Sequence, residues 1–96
     1  MKQLRLDAYV IDTLMRDLIQ HDRQPSAFLV YLLLSRHAAG ARGRQLSHQE
    51  MADASGLSKS AVQAAIRTLT RRRLIRVVRD SATAVPAYTV LRPWRR

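Results

Sequence analysis

The chain has no cysteine, so neither a disulfide nor a thiolate metal site can form, and a reducing compartment such as the cytoplasm suits it. Glycine and proline are scarce, three of each, while hydrophobic residues make up 47%. That balance speaks against a disordered chain and predicts one folded, mostly helical domain with a modest core. No long apolar run occurs; the longest, 27–34, is far too short to span a bilayer. Asp7, Asp12 and Asp17 interrupt the apolar residues near the start, unlike a secretory signal. The most informative scarcity is of acid. Residues 58–96 hold ten Lys or Arg and one acid, Asp80, whereas residues 1–57 hold seven basic and six acidic residues. Nearly all of the formal net charge of +10 therefore lies in the later part of the chain. A polyanionic partner accounts for such an asymmetry; solubility alone does not require it.

Catalytic and metal-binding constellations are also missing. His21, His37 and His48 are scattered, and none pairs with a second histidine at i, i+3 or i+4. Ser58 and Ser60 lack the G-x-S-x-G setting of a nucleophile elbow. No phosphate-binding G-x-x-x-x-G-K-[ST] loop is present. The expectation is a chain that is no enzyme and holds neither metal nor cofactor.

What is present centres on 46–78. Ser47 and Glu50 fit a capping box that opens a short helix through about residue 55. Met51 and Ala54 share a face of it, with Ala52 beside Met51. Gly56 stands where a left-handed residue would end that helix, and Leu57 is the apolar plug of the turn. Ser58 is a suitable N-cap for a second helix over 59–72. There Val62, Ala65, Ile66 and Leu69 form one apolar stripe at 100° per residue. Ser60, Ala64, Arg67 and Arg71 lie nearly opposite, with Gln63 and Thr68 at the flanks and no acid among them. An ordinary solvated face would mix signs to form i, i+4 pairs. A cationic, small and amide-bearing face suits the major groove, where arginine pairs with guanine and glutamine with adenine.

Elsewhere, the pattern predicts an amphipathic helix over 7–21. Its apolar half is wide enough for two readings: a fourth helix closing the domain's own core, or a dimerisation helix. Asp7, Asp12, Asp17 and Asp22 spiral round it and read as solvated or as ion-pair partners. Pro25 opens a helix to about residue 37 that is apolar in every direction and so is expected to be buried on all sides. A loop with Arg42 and Arg44 follows over 38–45. Arg71, Arg72 and Arg73 can contact phosphate, or favour the negative end of the helix dipole. Residues 74–79 and 87–91 read as two strands joined by a loop over 80–86. Trp94, in a basic tail, either stacks on a partner's base or packs on the domain surface, the second being preferred.

Ala52-x3-Gly56-x5-Val62 resembles the helix-turn-helix pattern, in which the small residue lets two helices cross and the glycine makes the turn. The continuation GLSKSAVQAAIRTLTRRRLI resembles the winged helix-turn-helix family of bacterial or phage transcription regulators. The resemblance implies a mainly α fold with a small antiparallel β-hairpin, the wing. It covers 25–92, leaves 1–24 as an added helix and 93–96 as a basic tail, and puts a short first strand at 44–46. It implies sequence-specific binding of double-stranded DNA by a cytoplasmic, nucleoid-associated regulator, as a homodimer. Ser60, Gln63, Ala64 and Arg67 would then read bases, and Ser58, Lys59, Arg71, Arg76 and Arg79 would contact phosphates. The wing tip, Ser81–Ala84, departs from the family in having no cation. Its use in the minor groove is therefore not expected. Two alternatives stay open: a winged helix that docks a protein, and a plasmid or phage replication or partition component. A small-molecule effector is not legible, and no membrane partner is expected.

Overall fold

In the computed structural model, residues 2–40 and 42–95 are described. Met1 of the leading segment, Ala41 of the loop and Arg96 of the tail lie outside the described residues. The first helix, α1, covers 8–21. Two stretches of it, Val10–Leu14 and Asp17–His21, are wound wider than an α-helix. Their marks are i→i+5 bonds, from the Met15 amide to the Val10 carbonyl and from the Asp22 amide to the Asp17 carbonyl. This corrects the regular helix that the sequence suggests: each wide turn holds one residue more than an α-helical turn, a local bulge in the hydrogen-bond ladder that apolar spacing does not signal. Val10, Leu14 and Leu18 all reach the core. Ile11 and Ile19 stay exposed on another side.

Helix α2, Pro25–His37, has proline in its first turn. It packs against α1, against the two later helices and against the last strand. Ala27, Phe28, Val30, Tyr31 and Leu34 are buried, and Tyr31 Oη donates to the Leu91 carbonyl at 3.0 Å. Burial on every side is not what forms: Leu29 is 46% exposed. The neighbours of α2 do not enclose its whole circumference, and Leu29 falls on the open side.

Strand β1, Arg44–Gln45, is followed by α3, His48–Ser55, and α4, Lys59–Arg71. The capping box forms as predicted, with the Glu50 amide donating to Ser47 Oγ and the Ser47 amide to Glu50 Oε1, both at 3.0 Å. Gly56 ends α3 at φ 79°, a left-handed conformation natural to glycine. Met51 and Ala52 are buried, so the small residue sits where the helices cross; Ala54, expected beside Met51, is exposed. Strands β2, Ile75–Val78, and β3, Ala87–Val90, complete the chain. The sheet is antiparallel in the order β1-β3-β2, with Arg44 opposite Tyr88, Ile75 opposite Val90 and Val78 opposite Ala87. Each strand is shorter by a residue or two than the sequence suggests. Among the described residues, no helix is long and apolar enough to cross a membrane.

Two acids that flank the first helix tie distant parts together. The Asp22 carboxylate accepts from Arg72 Nε at 2.5 Å and from Nη2 at 2.7 Å, which locks the end of α1 to the end of α4. Asp7 accepts from Trp94 Nε1 at 2.8 Å and from two nitrogens of Arg95 at 2.6 Å. Trp94 also stacks on Tyr9, with ring centroids 4.6 Å apart. It therefore packs on the domain surface.

The Arg72 guanidinium, helped by His21, holds Asp22 down to about 2 against an ordinary 3.8, although burial works the other way. A depressed carboxyl stabilises the fold above its unfolded value, and that contribution fades as pH falls from about 4 to 2. Asp22→Asn should therefore cost on the order of 2 kcal/mol at pH 7 and flatten this part of the acid limb, as read by urea denaturation. Gly43 makes a separate prediction. Its φ is 70°, and a Cβ there would lie 2.6 Å from the Tyr88 carbonyl oxygen. Gly43→Ala should lower stability by about 1–3 kcal/mol by prising β1 from β3, an effect that a thermal melt would reveal.

Candidate nucleic-acid interface

Helix α4 divides its circumference sharply. Val62, Ala65 and Leu69 are fully buried, and Ile66 nearly so. Lys59, Ser60, Gln63, Arg67 and Arg71 are exposed, and Ala64 is partly so. Thr68, expected at the flank of this outward face, is instead 4% exposed and belongs to the core side. The helix stops at Arg71, one residue early. Arg72 caps it, and Arg73 turns the chain away at φ 57°.

The N-terminus of α4 uses its serines locally. Ser58 Oγ accepts from the Ala61 amide at 3.1 Å and lies 3.2 Å from Ser60 Oγ. Ser58 is thus an N-cap first, and Ser60 is its neighbour in the hydroxyl pair. Gln63 reaches toward α3, with Nε2 3.4 Å from His48 Nδ1. His48, which the sequence leaves as a solvent-facing residue, is half-buried where the two helices meet. Only the crossing of α3 and α4 brings residues 48 and 63 together; no spacing in the sequence signals it.

The wing adds cations to this face. Ile75 is buried and Val77 half-buried, while Arg76 points outward in alternation. Arg79 follows at the end of β2 and is exposed. Burial chiefly, and then the charges of Arg79 and Lys59, hold the His48 pKa below 6.5. Helix α4 and the base of the wing therefore converge electrostatically on His48. Among the described residues, Lys59, Arg67, Arg71, Arg76 and Arg79 form no salt bridge, whereas Arg72 and Arg95 do. The structure thus sorts the arginine run at 71–73: the middle one serves the fold.

Residues 34–79, from the end of α2 to the end of the first wing strand, match the IclR helix-turn-helix domain family. The fold is a winged helix-turn-helix. The same architecture occurs in the ferric uptake regulator Fur of Helicobacter pylori, with a TM-score of 0.63. The two are 21% identical over 94% of this chain and 61% of that one, so the likeness is one of fold. This winged helix spans about three fifths of the length of the Fur chain. Fur has three functional metal-binding sites. Among the described residues here, no three His, Cys, Asp or Glu side chains come together to hold an ion. No curated protein matches the chain.

The cation-ringed His48 gives a direct test. Its titration by NMR should fall below 6.5, and Arg79→Ala with Lys59→Ala should move it back upward. A value unmoved by both substitutions would remove these side chains from its surroundings.

Proposed function

We propose that this winged helix binds double-stranded DNA in a sequence-specific manner and acts as a transcription regulator rather than as an enzyme. The observation that carries the reading is the outward, acid-free face of α4, together with the exposed Arg76 and Arg79 of the wing. The helix-turn-helix match and the regulator-like fold support it. A helix of this width fits the major groove, where Arg67 can make a bidentate pair with guanine and Gln63 with adenine. Ser60 meets a base edge, and the small Ala64 admits close approach or touches a thymine methyl. Lys59, Arg71, Arg76 and Arg79 neutralise phosphates, and Ser58 offers its hydroxyl beside them. Such a division lets phosphate contacts fix the register while base contacts select the sequence.

A homodimer belongs to the proposal, because two-fold regulators read paired half-sites. Ile11 and Ile19, exposed two turns apart on α1, support a second copy there. With ~6–10 phosphate contacts per dimer, affinity should fall ~10³–10⁵-fold between 50 and 200 mM salt. A winged helix serving only to dock proteins would bind DNA weakly and without sequence preference.

Selection of duplexes from a random pool tests specificity and half-site symmetry together. On the selected site, Arg67→Ala should relax discrimination by about 1–3 kcal/mol. Arg76→Ala should weaken all sequences alike and reduce the salt slope by about two, one for each protomer of the dimer. Equal losses on selected and random duplexes for both variants would refute the assigned roles.

A further inference from the structure

Away from the face of α4, cations from three parts of the chain line one open cleft of about 480 Å³. Lys2 and Arg5 come from the extended leading segment, Arg36 from the last turn of α2, and Arg92 from the segment after β3. Leu4 and Ser35 contribute to the wall, and no acid lines it among the described residues. The cleft is of a size that takes a small ligand.

It is distinct from the proposed reading face. Arg92 lies beyond the Val90 end of β3, where Val90 pairs with Ile75. Arg79 lies beyond Val78, which pairs with Ala87 at the other end of the same strand. At about 3.4 Å per residue, the intervening strand separates the two ends by roughly 10 Å. Asp7, the acid nearest in sequence to Arg5, is engaged by Trp94 and Arg95. The surroundings are positive by a second measure. Burial comes first in lowering the pKa of His37, and the charges of Arg36, Arg44 and Lys2 lower it further.

Asp7 lies near enough to Arg92 to feel its charge, but it is engaged by Trp94 and Arg95 and does not line the cleft. The four lining cations repel one another, and an anion seated among them relieves that repulsion. Orthophosphate brings only about two negative charges at neutral pH to a lining of four cations. A DNA duplex is far wider than a cleft of about 480 Å³ and can at most rest a phosphate at its mouth. We propose that the cleft binds a short, flexible oligophosphate, such as the triphosphate of a small molecule. Arg36 and Arg92 would clamp it as forks, and Lys2 and Arg5 would close over it as the leading segment settles.

Calorimetric titration of the full chain with tripolyphosphate tests this. The expected result is saturable one-to-one binding, tighter than that of orthophosphate and weakened at least about ten-fold in Arg36→Gln. Lys2→Gln, at an exposed position that no fold contact uses, should weaken it in the same direction and guards against a folding artefact. Arg67→Ala should leave tripolyphosphate affinity unchanged, and Arg36→Gln should leave duplex affinity unchanged. Absence of saturable binding, or equal affinity for orthophosphate, would overturn the proposal. So would an equal loss in Arg67→Ala, which would assign the anion to α4. A parallel loss of duplex affinity in Arg36→Gln and Lys2→Gln would assign the cleft to the DNA backbone and overturn it too. Failure of duplex binding alone would count against the regulatory reading and leave the tripolyphosphate result standing.

Discussion

The packing of the α4 stripe on α2 is the contact on which the rest depends. Val62, Ala65, Ile66 and Leu69 face Phe28-to-Leu34 country in the middle of the core, and the two helices share the most extensive interface in the molecule. Burying a side chain the size of valine, isoleucine or leucine contributes about 1.5–3 kcal/mol. No other rotation of α4 buries that stripe without also sinking Arg67 and Arg71. The same hydrophobic demand that builds the domain therefore fixes which residues look outward. Which side chains α4 displays is thus a by-product of core formation.

Charge is partitioned with the same economy. Arg72 and Arg95 are spent on Asp22 and Asp7, both in or beside the first helix. The residues at either end of that helix supply the acids on which the later, cationic part of the chain is anchored. The asymmetry between the two parts is therefore not only a matter of ligand attraction. It also gives the fold a long-range electrostatic seam between its beginning and its end. Of the other cations, Lys59, Arg67, Arg71, Arg76 and Arg79 lie on α4 and the wing, and Lys2, Arg5, Arg36 and Arg92 line the cleft.

Much of this was legible in the residues. The capping box at Ser47 and Glu50, the turn at Gly56, the N-cap Ser58 and the stripe of α4 are local signals, each set by backbone hydrogen bonding or by a period of 3.6. They placed the helix-turn-helix and its outward side correctly. What escaped was set by contacts distant in sequence. Leu29 is open because of where its neighbours happen not to lie, and a fully apolar helix conceals which side that is. Thr68 is buried because its methyl-bearing side chain sits at the margin of the stripe, where polarity alone misassigns it. The wide turns of α1 leave no mark in the spacing of Val10, Leu14 and Leu18, which an ordinary α-helix would also bring to one face. The approach of His48 to Gln63, and the choice of Arg72 over its two neighbours by Asp22, needed the crossing of helices to be known.

The clasp at Asp7 has a consequence of another kind. It joins residue 7 to residues 94 and 95, so closing it costs the entropy of a loop nearly as long as the chain. Such a closure becomes favourable only once the intervening segments have already collapsed. It belongs among the last steps of assembly and the first to yield on gentle heating. Trp94 is the only tryptophan in the sequence, and it lies within this clasp, stacked on Tyr9. Its emission is consequently a built-in indicator of whether the two ends have met and, through Tyr31 at 6.5 Å between ring centroids, of their docking on α2.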